Sequence, residues 1–164
     1  MAKVVTKMVV GSRSEDGVPL FEDEIPVNVL DEMLMTEADV IEPEIRRNAE
    51  ALLHGKYWTG TTQAKLTRKK PHNWTGKRGN GQRQVALVFK GVRTERFWID
   101  KSGARHYYKA KKPERNAAIA FVNEYGSRTT PPRPFIQTAL DKKEDEAYES
   151  AEKVFRDWQA KNGM

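Results

Sequence analysis

Apolar residues recur at helical spacing in two long segments of this chain and alternate with polar residues in the segment between them. The first helical pattern covers Val27–Gly55, where Thr36–Asp39 resembles a capping box. Pro43 predicts a break or a first turn, so the main helix is expected over Glu42–His54. Its predicted core face consists of Ile41, Ile45, Ala49, Leu52 and Leu53. The predicted outward face consists of Glu44, Arg46, Arg47 and Glu50.

The second helical pattern predicts a final helix over Phe135–Lys161. Its apolar face is expected to lie on a sheet, and it consists of Leu140, Ala147, Ala151, Val154 and Trp158, widened by Tyr148 and Phe155. Acidic residues cluster early in this helix and basic ones late, which suits the helix dipole.

Between the two helical patterns, Gln84–Lys90, Val92–Ile99 and Ala104–Ala110 have the alternation of strands, and Asp100–Gly103 is typical of a turn. These segments predict a three-stranded antiparallel meander, to which the β-branched segment Lys3–Val10 can add a strand. Lys111–Asn116 is expected to be a charged connection. The predicted fold class is therefore α+β, an antiparallel sheet of three to four or more strands packed by two longer helices, with a short helix and long loops at the rim.

The length of 164 residues predicts one domain over residues 27–164, preceded by an N-terminal arm or hairpin over residues 1–26. Cysteine is absent, which excludes disulfides and thiolate chemistry. No apolar run approaches the ~20 residues of a membrane helix, so we expect no membrane contact.

The net charge of +6 is concentrated in one segment, Ala64–Arg83, which carries seven cationic residues and no acid. We call this segment the basic loop. Its candidate nucleic-acid contacts are Arg68, Lys69, Lys70, Trp74, Lys77 and Arg78. The cations would neutralise phosphates and Trp74 would stack on an unpaired base. Alternatively, the loop is solvated or contacts an acidic neighbouring subunit.

No enzymatic or metal site is predicted. His54, His72 and His106 lack the spacing of metal ligands, and the chain has neither a nucleophile elbow nor a phosphate-binding loop motif. We therefore expect no catalytic residue, no cofactor and no metal.

The segment Ala117–Leu140 combines a short apolar helix, a glycine stop at Gly126, a loop with three prolines and a Pro-Phe entry into the final helix. Phe121, Tyr125 and Phe135 are expected to join the short helix to the final one. The loop Ser127–Arg133 is predicted either to meet a neighbouring subunit or to be solvated. The candidate interface residues are Glu124, Tyr125, Arg128, Arg133 and Phe135.

This segment resembles the phage tail-completion or neck (head–tail joining) family typified by HK97 gene product 10. The matching positions are Phe121, Glu124, Tyr125, Gly126, Pro132, Arg133, Pro134, Phe135 and Leu140, with a weaker match at Thr59-Gly60 and Leu66. The resemblance implies a non-enzymatic structural virion protein that is assembled in the host cytoplasm and forms an oligomeric ring at the neck. Its implied partners are copies of itself, neighbouring head-completion, connector or tail-tube proteins and, in passing, phage DNA.

Two further hypotheses follow. The acidic arm segment Glu15–Glu24 and the basic loop Arg68–Arg83 have opposite charges, so they are expected to face each other between subunits. The alternative function is a nucleic-acid-binding accessory protein that uses the basic loop 64–83.

Overall fold

The computed structural model describes residues 25–53, 60–73 and 83–163. In chain order its elements are α1 (Val27–Leu52), α2 (Thr61–Ala64), β1 (Leu66–Arg68), β2 (His72–Asn73), β3 (Arg83–Gln84), β4 (Leu87–Phe89), β5 (Val92–Ile99), β6 (Arg105–Arg115), α3 (Asn116–Tyr125) and α4 (Phe135–Lys161). The mixture of helices and antiparallel strands, with two long helices, confirms the α+β class in its coarse form.

Several predictions fall outside the described residues. They concern the strand Lys3–Val10, the acidic segment Glu15–Glu24, His54, and three residues of the basic loop, Trp74, Lys77 and Arg78. Of the predicted arm, only Ile25 and Pro26 are described.

The chain groups into two compact units. Of the described residues, the first unit takes in those within Glu44–Thr67 and Val88–Asp141, and the second takes in those up to Pro43, those within Arg68–Leu87 and those from Lys142 onward. Each unit has buried apolar residues of its own. In the first, Phe89 meets Phe135 edge to face with ring centroids 6.1 Å apart. In the second, Val29, Met33 and Ala151 form one cluster, and Leu34, Ala38 and Val85 form another.

Helix α1 is one continuous helix of 26 residues, and the predicted break at Pro43 is wrong. Proline removes one helical hydrogen bond and crowds the preceding turn. Burial of Ile41 and Ile45 on either side of Pro43 offsets that cost. Thr36 lies inside this helix, where its hydroxyl donates to the carbonyl of Glu32 at 2.8 Å. It is therefore not the N-terminal cap that its sequence context resembles.

The predicted faces of α1 need two corrections. Glu44 was placed outside, but it is buried and pairs with Arg47. Leu52 was placed in the core, but it is exposed near the helix end. The residues that are buried along α1 begin at Val29, in its first turn, and recur on one face at helical spacing, as an amphipathic helix requires.

The three-stranded meander is wrong, because each sheet of the described residues has two strands. β4 pairs with β1, and β3 pairs with β2. Parts of the basic loop therefore form strands. Among the strands that the structure describes, β5 pairs only with β6, in an antiparallel ribbon. Val85, Leu87 and Phe89, which alternate along the predicted strand, are buried, and so are Gln84 and Ala86 beside them. The predicted connection Lys111–Asn116 is instead the end of β6 and the first residue of α3.

Candidate functional site

The corner between α3 and α4 is held by a carboxylate. Glu124 is only 3% exposed, and its two oxygens accept the backbone N–H groups of Ile136 at 2.8 Å and Gln137 at 2.9 Å. These N–H groups lie in the first turn of α4 and have no partner within the helix. The negative charge also suits the positive end of the helix dipole. Glu124 therefore caps α4 across twelve residues of chain.

The chain between the two helices follows from local chemistry. Gly126 ends α3 with φ of 79°, in the left-handed region that favours glycine, and a Cβ there would lie 3.0 Å from atoms of Pro132 and Thr130. Ser127 then closes a short turn, because its N–H donates to the Thr130 carbonyl at 2.8 Å and its hydroxyl accepts the Thr130 N–H at 3.1 Å. The predicted glycine stop is confirmed.

The candidate interface residues separate into two groups. Phe135 is fully buried, as expected of a residue that joins the short helix to the final one, and Glu124 is nearly so, so neither stays a candidate for contact with a neighbour. Tyr125 is 64% exposed, Arg128 is exposed and Arg133 is half-buried, so these three stay candidates for contact with a neighbour. Tyr125 packs on Phe121, with ring centroids 4.8 Å apart, and both are exposed. The prediction that these two rings join α3 to α4 is therefore wrong, since Glu124 makes that connection.

Carboxylates of α1 neutralise part of the positive charge of the basic loop. Arg68 is 19% exposed, and its guanidinium bridges Asp39 at 2.5 Å and Glu42 at 3.0 Å. It also donates to the carbonyl of Ala38 at 3.2 Å. These partners hold the pKa of Arg68 above its ordinary value despite its partial burial, which opposes that rise. Arg68 is thus a structural residue, which corrects its assignment to a nucleic-acid contact.

Arg83, at the other end of the basic loop, is held in the same way. Its Nε and Nη2 atoms donate to the two carboxylate oxygens of Asp31 at 2.6 and 2.7 Å. This bidentate geometry is the strong form of an arginine–carboxylate pair, and it raises the pKa of Arg83. Among the described residues of the basic loop, exposed cationic side chains remain at Lys65, Lys69 and Lys70.

The second basic region is the β5–β6 ribbon, Val92–Arg115, which sequence reasoning did not single out. It carries eight cationic residues against three acidic ones, a net charge of +5. Within the described residues no third strand pairs with either of its edges, and its main contacts beyond itself are with α3. A two-stranded ribbon is marginally stable alone. Its structure must therefore be supported by its turn, its cross-strand pairs and its base.

The turn of the ribbon is tightly bonded. Asp100 accepts the Ser102 N–H at 2.8 Å, the Ser102 hydroxyl at 2.5 Å and the Ala104 N–H at 3.0 Å, while His106 Nε2 lies 2.6 Å from its other oxygen. The Ser102 hydroxyl and His106 are the main reasons that the pKa of Asp100 is lowered to about 2. Gly103 supplies φ of 90°, which confirms the turn predicted at Asp100–Gly103.

Aromatic rings lie on both faces of the ribbon. Phe97 is opposite Tyr107 with ring centroids 5.5 Å apart, and Trp98 stacks on His106 at 4.4 Å. These pairs stabilise the ribbon. They leave large surfaces in water, however, since Trp98 is 54% and Tyr107 is 61% exposed. Exposed rings of this size are typical of an interaction surface.

The base of the ribbon is anchored by Asn116, which is fully buried at the start of α3. Its side-chain amide donates to the Lys90 carbonyl at 2.8 Å, and its backbone N–H donates to the Gly91 carbonyl at 3.1 Å. Lys90 and Gly91 precede β5, so this one residue joins the chain before the ribbon to the chain after it. No pattern in the sequence points to this role.

A groove of about 590 Å³ runs along the ribbon and is lined by Arg93, Arg96, Phe97, Tyr107, Tyr108 and Glu114. Arg93 and Arg96 both pair with the single carboxylate of Glu114. Their Nε atoms are buried, with no hydrogen-bond partner among the described residues. Glu95 lines the groove as well, so the groove combines two guanidinium groups and two carboxylates with aromatic walls, a composition suited to a protein partner.

Other chemistry is not found in the described part of the chain. No group of three or more histidine and acidic residues there is placed to hold a metal ion. His72 is in hydrogen-bond contact with Gln84, and His106 with Asp100, so the two described histidines do not share a site. None of the described helices is long and apolar enough to span a membrane.

Comparison with known proteins adds no relative. No protein-family model matches the chain, and no curated protein or solved structure is significantly similar to it.

Proposed function

We propose that this chain is a structural virion protein of a tailed phage or prophage. It acts in the neck or tail-completion region, where it joins or terminates the tail at the head by forming an oligomeric ring. It is assembled in the host cytoplasm, and enzymatic activity is not part of its role. Its partners are copies of itself and adjacent head-completion, connector or tail-tube proteins.

The observation that carries the proposal is the exposed aromatic surface of the β5–β6 ribbon. Trp98, Tyr107 and Tyr108 present apolar surface on the two faces of an element whose edges pair with no third strand in the described part of the chain. Tyrosine, tryptophan and arginine are the residue types that dominate protein interfaces. A subunit whose neighbours cover this ribbon gains both the buried apolar area and the missing support for the strands.

The loop Ser127–Arg133 supports the same proposal. Its backbone is fixed by Ser127, Gly126 and the prolines, while Arg128 and Thr129 remain exposed. A loop held in one conformation loses little entropy when a partner binds it. The resemblance of residues 121–140 to the tail-completion family directs the choice of assembly toward the phage neck.

The proposal is tested by deleting the gene in the phage or prophage that encodes it. Negative-stain images of lysates should show heads and tails that are not joined, and expression of the wild-type chain in trans should restore infectious particles. Peptide mass spectrometry should find the chain in purified virions. Normal infectious particles from the deletion strain, or virions that lack the chain, would contradict the proposal.

The second candidate is a nucleic-acid-binding accessory protein that uses the basic loop, where Lys69 and Lys70 are exposed. Such a protein should bind an oligonucleotide with an affinity that falls steeply with salt. Fluorescence anisotropy on the wild type and on Lys69→Ala/Lys70→Ala measures this directly. Salt-dependent binding that the double variant weakens, together with normal particle joining in the deletion strain, would favour this candidate over the first.

A further inference from the structure

The β5–β6 ribbon has an electrostatic counterpart elsewhere in the chain. Residues 141–152 of α4 contain six acidic and two basic side chains, a net charge of −4. Five of the acids lie within one arc of the helix by their spacing, at Asp141, Glu144, Asp145, Glu149 and Glu152. Tyr148 is at the centre of that arc and is 50% exposed. We call this surface the acidic face of α4.

We infer that the ribbon of one subunit binds the acidic face of α4 on a second copy of this chain. The ribbon brings a net charge of +5 and exposed aromatic rings, and the acidic face brings a net charge of −4 and Tyr148. Opposite charges around aromatic contacts are the composition of a specific protein interface. This inference rests on the proposed function, because it names the surfaces through which the subunits of the ring meet.

The exposure of the ribbon cations supports an intermolecular partner. Lys109, Lys111 and Lys112 are exposed on β6, and they are followed by Arg115 at its end. The single acid shared by Arg93 and Arg96 leaves the ribbon with an excess of positive charge that a carboxylate-rich surface would balance. On α4, Glu144, Asp145 and Glu149 are exposed in the same way.

The two surfaces are different patches of one chain, so their contact is heterologous. A contact of this kind repeats from each subunit to the next and closes into a ring when the rotation permits. Two copies related by a two-fold axis would instead use the same patch twice. The inferred contact therefore agrees with the symmetry that a neck ring requires.

A charge exchange tests the contact. Lys109→Glu/Lys111→Glu/Lys112→Glu reverses the ribbon, and Glu144→Lys/Asp145→Lys/Glu149→Lys reverses the acidic face. Each variant alone should weaken self-association of the full chain about tenfold, as three exposed ion pairs do together. The two sets combined should restore it, and the combined variant has the same net charge as the wild type. Sedimentation equilibrium at low salt measures the association.

The matched control is Lys65→Glu/Lys90→Glu/Lys161→Glu, which makes the same change of charge on exposed lysines that lie outside the ribbon and outside the candidate contacts of the basic loop. This control should leave self-association within about twofold of the wild type. Circular dichroism confirms that each variant is folded. Equal weakening by the control would mean that net charge, rather than this contact, governs association, and would overturn the inference.

Three other results would also overturn it. The first is a wild-type chain that stays monomeric up to about 1 mM, where a contact of modest affinity would be half formed. The second is a combined variant that fails to restore association. The third is binding of a short single-stranded oligonucleotide that the ribbon reversal abolishes, with association unchanged. If gene deletion still prevents head–tail joining in any of these cases, the proposed function stands and only the named contact fails.

Discussion

The basic loop and the β5–β6 ribbon carry similar positive charge, but they differ in what lies opposite that charge. In the loop, Arg68 and Arg83 at the two ends are paired with carboxylates of α1. In the ribbon, eight cationic residues share three acids within the same segment. A cluster of cations in a sequence therefore does not locate a binding surface. The location depends on acids that are distant in the chain and close in space.

The physical difference lies in desolvation. Arg68 is mostly removed from water, and a guanidinium in that position needs carboxylates and carbonyls to replace its hydration. The ribbon lysines remain hydrated, and they keep their charge available to a partner. The loop arginines thus stabilise the fold, whereas we propose that the ribbon cations stabilise an assembly.

The largest predicted effect is on the pH dependence of the free energy of unfolding. It separates α1, which holds the carboxylate partners of the basic loop, from the ribbon. On α1, burial raises the pKa of Glu37 from 4.5 to about 7. The unfolded carboxyl loses its proton first, so the free energy of unfolding should fall by ~3 kcal/mol as the pH rises from the lower to the higher of these values. In Glu37→Gln this loss should be absent. Urea unfolding of the wild type and of Glu37→Gln across this pH range measures the difference between their free energies of unfolding. The other titrating groups are the same in both proteins, so their contributions cancel.

The ribbon should respond to pH in the opposite direction. The pKa of Asp100 is lowered from 3.8 to about 2, so its contribution is present above the first value and is lost as the pH falls toward the second. The protection of the amides in residues 100–106, taken relative to their intrinsic exchange rates, should therefore fall only in acid. An identical pH slope in wild type and Glu37→Gln would contradict the assignment of the neutral-range slope to α1.

The next effect concerns Arg68. Arg68→Ala removes the partner of Asp39 and the half-buried Glu42, and should lower the free energy of unfolding by about 2 kcal/mol. Urea unfolding at constant pH measures it. Arg68→Lys is the control, since it keeps the charge and loses the fork of donors, and it should recover only part of the stability. If Arg68→Ala lowers the free energy of unfolding by less than ~0.5 kcal/mol, Arg68 contributes no more to stability than an exposed surface cation.

The smallest effect is expected in the ribbon. Lys109→Ala/Lys111→Ala/Lys112→Ala should change the free energy of unfolding of the monomer by less than ~0.5 kcal/mol, because the three side chains are exposed. The same variant should weaken self-association. Thermal unfolding of the dilute chain measures the first quantity and light scattering the second. A large loss of monomer stability would show that these lysines serve the fold, as Arg68 does.

The corner at Ala117–Leu140 shows how far sequence reasoning reaches. The short helix, the stop at Gly126 and the start of α4 at Phe135 were predicted correctly, because each depends on the backbone preferences of glycine and proline. The sequence did not predict the roles of Glu124 and Tyr125 correctly. An acid is usually solvated and a tyrosine is often buried. Here the acid is buried because it meets the first N–H groups of α4, and the tyrosine is exposed.

One feature of the sequence could have indicated the role of Glu124. It lies four positions after Ala120, on the face of α3 that is buried, and an acid on a buried face requires donors. Asn116 lies on the same buried face, four positions before Ala120, but the sequence does not indicate which acceptors it meets. Its partners are the carbonyls of Lys90 and Gly91, which are brought to it by the return of the ribbon.

The sequence by itself determined α3, α4, the ribbon turn and the glycine stop, because hydrophobic period and local backbone preference act within a few residues. It did not determine which strands pair, since β4 lies between β3 and β5 in the sequence but pairs with β1. Nor did it determine which charges are compensated. Only the tertiary structure brings Asp39 and Glu42 to Arg68, and leaves the ribbon lysines in water. Pairing and compensation depend on contacts between residues far apart in the chain, which no local pattern records.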